Sequence, residues 1–310
     1  MAPEDKPVDY QNPVVQKEVL ERQRRGLWTP EQIGTFAKHF KLAPGSKLLD
    51  VGCGWGYCID AYGPYCMPGG EIYGLDIEPD HVEEAPKRIA EDLRASTTFQ
   101  IGDIYNLPFP DNSFDIAMAQ IVLCHLDNPR PAIKEMIRVV KPGGCVAIFE
   151  NASSETPRNG WINIFSPNIE QKLFDYKMSL HMHRAKRKRK HGDWSMGCYI
   201  PEWLIKDGLK NVCVRQNEQV KWLAPPYDSP DQRITYESLI ERNSNDELTS
   251  TWRKKMRKNL LIGGASKKEI DRYNRSTARR KRLMEKALRN KELSYSRGLS
   301  LWCIWGFKSD

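Results

Sequence analysis

Between Lys47 and Glu150, short apolar runs alternate with longer amphipathic stretches. The runs Lys47–Val51, Glu71–Leu75, Thr98–Ile101, Phe114–Gln120 and Cys145–Glu150 read as five buried strands. Helical spacing fills the gaps, over Glu78–Ala95 and Pro131–Val140. Strands alternating with helices in this way imply a parallel sheet covered on both faces. Trp28-Thr29-Pro30-Glu31 reads as a helix start, with Thr29 as N-cap and Pro30 at the first helical position, running to about Phe40. Lys141-Pro142-Gly143-Gly144 reads as a turn, because Pro presets φ and Gly accepts a positive φ.

Outside that region the rhythm changes. Val14–Arg25 reads as an amphipathic helix. After Glu150 the alternation stops, and residues 151–197 read as an insertion carrying Trp161, Phe165, Phe174, Tyr176 and Trp194. Pro201–Gly208 resumes as helix and Asn211–Val214 as strand. Residues 221–295 read as basic and helical, and Leu299–Phe307 as a last strand. The expected organisation is therefore an N-terminal helical cap (1–40), an α/β core (41–150), an insertion serving as a candidate lid over the carboxyl edge of the sheet (151–197), a resumed core (198–220), a basic helical insertion (221–298) and a final core strand (299–310).

Composition narrows the class. At 310 residues with 40% hydrophobic and 28% charged positions, the chain is an ordinary globular protein, neither disordered throughout nor fibrous. It contains no apolar run of transmembrane length, and its first 30 residues hold no apolar stretch of a secretory signal. A cytoplasmic location with reduced thiols is the expectation. None of the eight cysteines stands in a C-x-x-C pair, and His181 and His183, two residues apart, fall on different sides of a helix; no metal site is expected. The net charge of +8 is uneven. Met1–Glu150 holds 15 Lys/Arg against 22 Asp/Glu, whereas Ser250–Arg297 holds 17 against 4. An anionic partner or substrate and a merely solvated cationic face are both compatible with that asymmetry.

The chemistry concentrates where the strands end. In Leu48–Gly56 (LLDVGCGWG), a strand runs into a glycine turn, and Gly52, Gly54 and Gly56 let the backbone approach a ligand without an intervening Cβ. A dinucleotide fingerprint would need glycine at position 57, where Tyr57 stands, so a dehydrogenase is disfavoured. Asp76 follows the second strand, 20 residues beyond Gly56, where a carboxylate accepts from ribose hydroxyls; Ile77 beside it suits an adenine face. Asp103, next to Ile104, follows the third strand, where an adenine amino group needs an acceptor. Asp115, before the fourth strand, reads as structural.

These motifs resemble the class I S-adenosylmethionine (SAM) dependent methyltransferases. Within them the chain is similar to the small-molecule branch of quinone, sterol and glycine methyltransferases. The matching stretches are LLDVGCGWG, YGLDIEP, GDIYNLPFPDNSFDIAMAQIVLCHL and VVKPGGCVAIFE, in that order, over about residues 40–150. The resemblance implies an α/β, Rossmann-like sheet of seven strands whose last strand is antiparallel and inserts beside the fifth, with helices on both faces. It implies SAM as cofactor, with Gly52, Gly54 and Gly56 under its methionine part, Asp50 supporting that loop, Asp76 on the ribose, Asp103 on the adenine, and Gln120 lining the methionine and acceptor side. His125, after the fourth strand, is a candidate general base, needed only if the acceptor must lose a proton. Ala224-Pro225-Pro226-Tyr227 is similar to the motif of nucleobase-amino methyltransferases, but lies far downstream of the fourth strand and begins with a residue that cannot accept a bond.

The expected partner is a small acceptor, anionic or lipophilic. A second reading places RNA or protein on the basic C-terminal region, and a third makes the chain a non-catalytic SAM-fold binding protein. Arg184–Lys190, six basic residues in seven, reads first as a solvated loop, and otherwise as a nucleic-acid patch or a contact for an anionic acceptor or membrane surface.

Overall fold

The computed structural model describes residues 27–152, 160–217, 220–244, 246–298 and 301–309. The expected helix at Val14–Arg25 lies outside them. The chain divides into two compact units. The first comprises residues 1–152, 191–217 and 300–310; the second comprises 153–190 and 218–299.

The first unit is a seven-stranded sheet. Its strands are β1 (Lys47–Val51), β2 (Glu71–Asp76), β3 (Thr97–Ile101), β4 (Phe114–Gln120), β5 (Val140–Asn151), β7 (Lys210–Gln216) and β10 (Leu301–Phe307), in spatial order β3-β2-β1-β4-β5-β10-β7. Strands β1 to β5 are mutually parallel where they pair, while β10 runs antiparallel to both β5 and β7. That is the expected seven-stranded sheet with its last strand inserted beside the fifth. Order reverses between β1 and β4, so the crevice at the carboxyl ends of β1, β2 and β4 is the switch point where such sheets bind ligands.

Both faces are covered. On one, α5 (Pro129–Val139) and α7 (Ile200–Lys206) bury Ile133, Met136, Ile200 and Leu204 against Val146 and Ile148. On the other, Phe149 packs against Trp28, Phe36, Phe40 and Tyr62, at ring distances of 5.3 to 6.3 Å. Phe36 belongs to α1 (Pro30–His39) and Tyr62 to α2 (Tyr57–Tyr62). Adjacent residues of β5 thus enter opposite cores, which explains why the strand reads as a continuous apolar run. Helix α1 starts as its sequence predicts: Thr29 caps Gln32, whose side chain reaches back to the Thr29 N–H.

Local sequence and structure part at two places here. The helix expected over Glu78–Ala95 is split into α3 (Pro79–Arg88) and α4 (Glu91–Arg94). Ile89 turns extended and buries its side chain beneath Gly56, and the Ala90 N–H donates to Asp60 Oδ1 at 2.8 Å. Tertiary contacts overrule the helical periodicity. The Lys141–Gly144 turn sits inside β5 as an extrusion: Phe114 pairs Val140 and Ile116 pairs Cys145, with Gly143 at φ 73°.

The second unit is assembled from two distant stretches. A three-stranded antiparallel sheet, ordered β6 (Gly160–Ile162), β9 (Tyr295–Gly298), β8 (Val220–Leu223), joins them. Ile162, Leu223 and Tyr295 face a core with Tyr227, Tyr236, Ala287 and Leu288 from α8 (Pro230–Ser244), α10 (Lys267–Arg289) and the turn before α8. A second core holds Phe174 and Met178 of α6 (Ile169–Lys188), Met256 and Leu260 of α9 (Asp246–Gly263), and Ile270 of α10. The stretch read as helical over 221–295 therefore begins and ends in strands. Arg184–Lys188 is helical rather than a loop, being the end of α6. Lys188 Nζ donates to the Ile262 carbonyl at 3.1 Å and Arg189 to Asn259 at 2.9 Å, which ties the run to α9.

Candidate functional site

The carboxyl edge of β1, β2 and β4 gathers the residues singled out in the sequence. Gly52, Gly54 and Gly56 take φ values of 71°, 52° and 83°, so the loop after β1 is built from left-handed turns that only glycine adopts without strain. The loop is also tightly packed. A Cβ on Gly52 would stand 2.5 Å from Val122, and one on Gly56 2.5 Å from Ile89. Trp55, between Gly54 and Gly56, is buried, and the Arg88 guanidinium lies 3.6 Å from its ring centre. The end of α3 braces the loop from one side, and the turn after β4 from the other.

Asp76 ends β2 and is buried. Its Oδ2 accepts the Gly54 N–H at 2.8 Å, and its Oδ1 accepts the Glu78 N–H at 3.0 Å and faces His81 Nδ1 at 3.3 Å. A carboxylate only accepts, so His81 holds its proton on Nδ1. Burial pushes the Asp76 carboxyl up, but His81 and the Glu78 and Gly54 N–H groups outweigh it, and the net shift is below the ordinary range. Of about four lone-pair positions on the carboxylate, three are engaged, and Oδ2 keeps one. Asp50 is buried in β1, and Cys53 between it and Asp76 is pushed up by burial and then by the charges of Asp50 and Asp76, so its thiol stays protonated.

The remaining residues line neighbouring strand ends. Ile77 is 63% exposed, an apolar side chain presented to solvent immediately after Asp76. Asp103 is exposed two residues beyond β3, and its Oδ1 accepts the Tyr105 N–H at 2.9 Å; Ile104 beside it is buried. Gln120 ends β4, and Ile121 follows at φ 53°, an unusual conformation for a β-branched residue. Gln120 Oε1 accepts from Trp28 Nε1 at 3.1 Å. An indole N–H only donates, so this contact fixes which way round the Gln120 amide lies. His125 closes a short 3₁₀ turn, Leu123–His125, and is half-buried. Asp115 lies at the opposite edge, accepting from the Lys47 N–H at 2.8 Å and Lys141 at 2.7 Å, a structural role.

Three contributors lay beyond the sequence reading. Trp28 orients Gln120 across 92 positions. Glu150, fully buried at the end of β5, accepts the Cys124 N–H at 3.1 Å and the Asn151 N–H at 3.2 Å, and so anchors the turn that carries His125. Gly192 presses its backbone on that same turn, where a Cβ would stand 2.2 Å from the Cys124 carbonyl oxygen. Only Glu150 left a visible trace, as a charge ending a buried apolar run.

The set fits a nucleoside carrying a charged amino-acid arm. Two carboxylates stand at the ends of adjacent strands, and the exposed aliphatic side chain of Ile77 directly follows the first, a set suited to hydroxyl groups, an amino group and a flat ring face. Among the described residues no group of three or more His, Cys, Asp or Glu is placed to hold a metal ion, and no helix is long and apolar enough to cross a membrane. Ala224–Tyr227 follows β8 in the second unit, where the Tyr227 hydroxyl bonds the backbone of Leu293. None of the eight cysteines is joined in a disulfide.

Comparison with known proteins agrees. A methyltransferase-domain family matches residues 49–148. An uncharacterised methyltransferase of Schizosaccharomyces pombe is 38% identical over 210 residues, covering 63% of this chain and 71% of the relative. The demethylmenaquinone methyltransferase of Lactobacillus johnsonii is 31% identical over 188 residues, covering 58% of this chain and 74% of the relative. A candidate methyltransferase structure from Bacillus halodurans superposes with a TM-score of 0.50 at 16% identity, over 90% of this chain and 100% of that one, a likeness of fold.

Proposed function

Since the chain belongs to the class I SAM-dependent methyltransferases, we propose that it moves the methyl group of SAM to a small-molecule acceptor by in-line displacement. The observation that carries this reading is the carboxyl edge of the sheet: three left-handed glycines whose loop is tied to Asp76, with Asp103 on the next strand end. When bound, SAM supplies a methyl group already activated on a sulfonium.

The chain's own residues then bind and orient. The Gly52–Gly56 loop lies against the methionine portion. Asp76 accepts a ribose hydroxyl through the remaining lone pair of Oδ2, Asp103 accepts from the adenine amino group, and Ile77 covers the ring. Asp50 supports the loop from beneath, and Gln120, held by Trp28, faces the methionine and acceptor side. Alignment of this kind supplies roughly 7–11 kcal/mol of barrier lowering. His125 takes a proton only from an acceptor that must lose one.

A lipophilic ring acceptor is the class favoured by the name of the L. johnsonii relative. The test is incubation with methyl-tritiated SAM and a cell extract, followed by separation of extractable metabolites, RNA and protein. Label among extractable metabolites supports the reading. Label in RNA or protein replaces it with a docked macromolecule, and SAM binding without any labelled product replaces it with a binding role.

A further inference from the structure

Helix α6 is apolar on two opposite faces. One face carries Phe174 and Met178, which pack on Met256 and Leu260 of α9 and Ile270 of α10. The opposite face carries Ile169, Leu173, Tyr176 and Leu180, at spacings of four, three and four residues, and all four are exposed, Ile169 at 75% and Leu173 at 63%. The first face anchors the helix, and the second is turned toward solvent. Exposed apolar stripes of this kind mark an interaction surface.

The same face continues, one and two turns on, as exposed Arg184 and Arg187, and Lys172 lies exposed at its flank. Lys177 of the same helix pairs with Glu269 at 2.6 Å. The surrounding charge has the same sign: residues 153–190 and 218–299 hold 29 Lys/Arg against 14 Asp/Glu. The unit also exposes Trp161 and Trp222, placed on either side of Ser296 in one cross-strand row, on the sheet face opposite Ile162, Tyr295 and Leu223. Tryptophan is the side chain most at home where hydrocarbon meets water.

We propose that this face of α6 is a docking surface for an anionic lipid bilayer, with the Ile169–Leu180 stripe inserted among the acyl chains and Arg184 and Arg187 on the headgroups. An apolar stripe flanked by Lys172 and continued by Arg184 and Arg187 is the pattern of a helix lying in the interfacial plane. A polynucleotide would use the cations and the Tyr176 ring but gain nothing from Ile169, Leu173 and Leu180, the aliphatic majority of the stripe. The stripe spans about 17 Å at 1.5 Å per residue, long enough for interfacial seating and too short to cross. The inference stands apart from the identity of the methyl acceptor.

The experiment is co-sedimentation of the full chain with phosphatidylcholine vesicles, with and without phosphatidylserine. Binding is expected only with phosphatidylserine. It should fall at least about tenfold in the double variant Ile169→Glu, Leu173→Glu, and by a comparable factor in Arg184→Glu, Arg187→Glu. Both pairs are exposed, and an unchanged circular dichroism spectrum confirms the fold; Leu180→Ser gives a milder check. Charge-dependent binding that survives the loss of Ile169 and Leu173 overturns the insertion. So does capture by a homopolymeric RNA with none by vesicles, a dimer dispersed by the Ile169 and Leu173 changes, or no binding to either vesicle.

Discussion

The two units divide the protein's chemistry between them. Residues of the first unit hold 19 Lys/Arg against 26 Asp/Glu, and the second 29 against 14. The first builds a sheet with two cores and spends its carboxylates on holding loops, as Asp76 holds Gly54 and Glu150 holds Cys124. The second has smaller cores and a cationic, partly apolar exterior. Charges placed inside a site orient bonds, whereas charges on a surface select partners through their field. The +8 of the whole chain conceals an acidic unit and a basic one.

The largest expected effect tests which unit carries the cofactor. Phe149→Ala removes the ring at the centre of the first unit's aromatic core and should cost about 3–5 kcal/mol and most SAM binding. Met178→Ala, in the second unit's core, should cost roughly 2–5 kcal/mol while leaving SAM affinity within about twofold. Thermal unfolding and calorimetric titration measure both, and lost SAM affinity in the Met178 variant would break the division.

Next comes Asp76→Ala. A charged hydrogen bond contributes about 1.5–3 kcal/mol, so SAM affinity should weaken about tenfold or more. Unchanged affinity by calorimetry would remove Asp76 from the cofactor and leave it as a tether of Gly54 and Glu78. Smaller is Trp28→Phe, which keeps the packing on Phe149 but deletes the N–H that orients Gln120. A loss of about 0.5–1.5 kcal/mol is expected, read as a lowered kcat rather than a change in fold.

The smallest effect belongs to the second unit. Lys177 and the Ser266 N-cap pull the Glu269 carboxyl down to about 2 from an ordinary 4.5. A depressed carboxyl stabilises fully above its unfolded value, so this contribution is complete above about pH 4.5 and is lost as pH falls through about 2. Glu269→Gln keeps the capping geometry and loses the ion pair, and should cost well under about 1 kcal/mol at neutral pH. An unchanged acid-unfolding profile in that variant would show the pair to be fully screened.

The core strands and the motif positions were legible because their signals are local. A buried parallel strand is a continuous apolar run, and the Gly52, Gly54 and Gly56 turns declare themselves by residue type. Strand β10 was readable for the same reason, although its place beside β5 came from the family resemblance and its pairing with β7 from the structure. The helix break at Ile89 was not legible, because a contact with Gly56, 33 positions away, decided it. Nor was the bond from Trp28 to Gln120, or the pairing of β6 with β9 that joins Trp161 to Ser296. The sequence of α6 puts apolar residues on two faces, and only its packing on α9 and α10 separates an inward face from an outward one. By itself, then, the sequence determined the strands of the large sheet, the glycine loop and the family. Tertiary structure alone decided the partners of Asp76, Gln120 and α6, because contacts between distant residues leave no periodic trace along the chain.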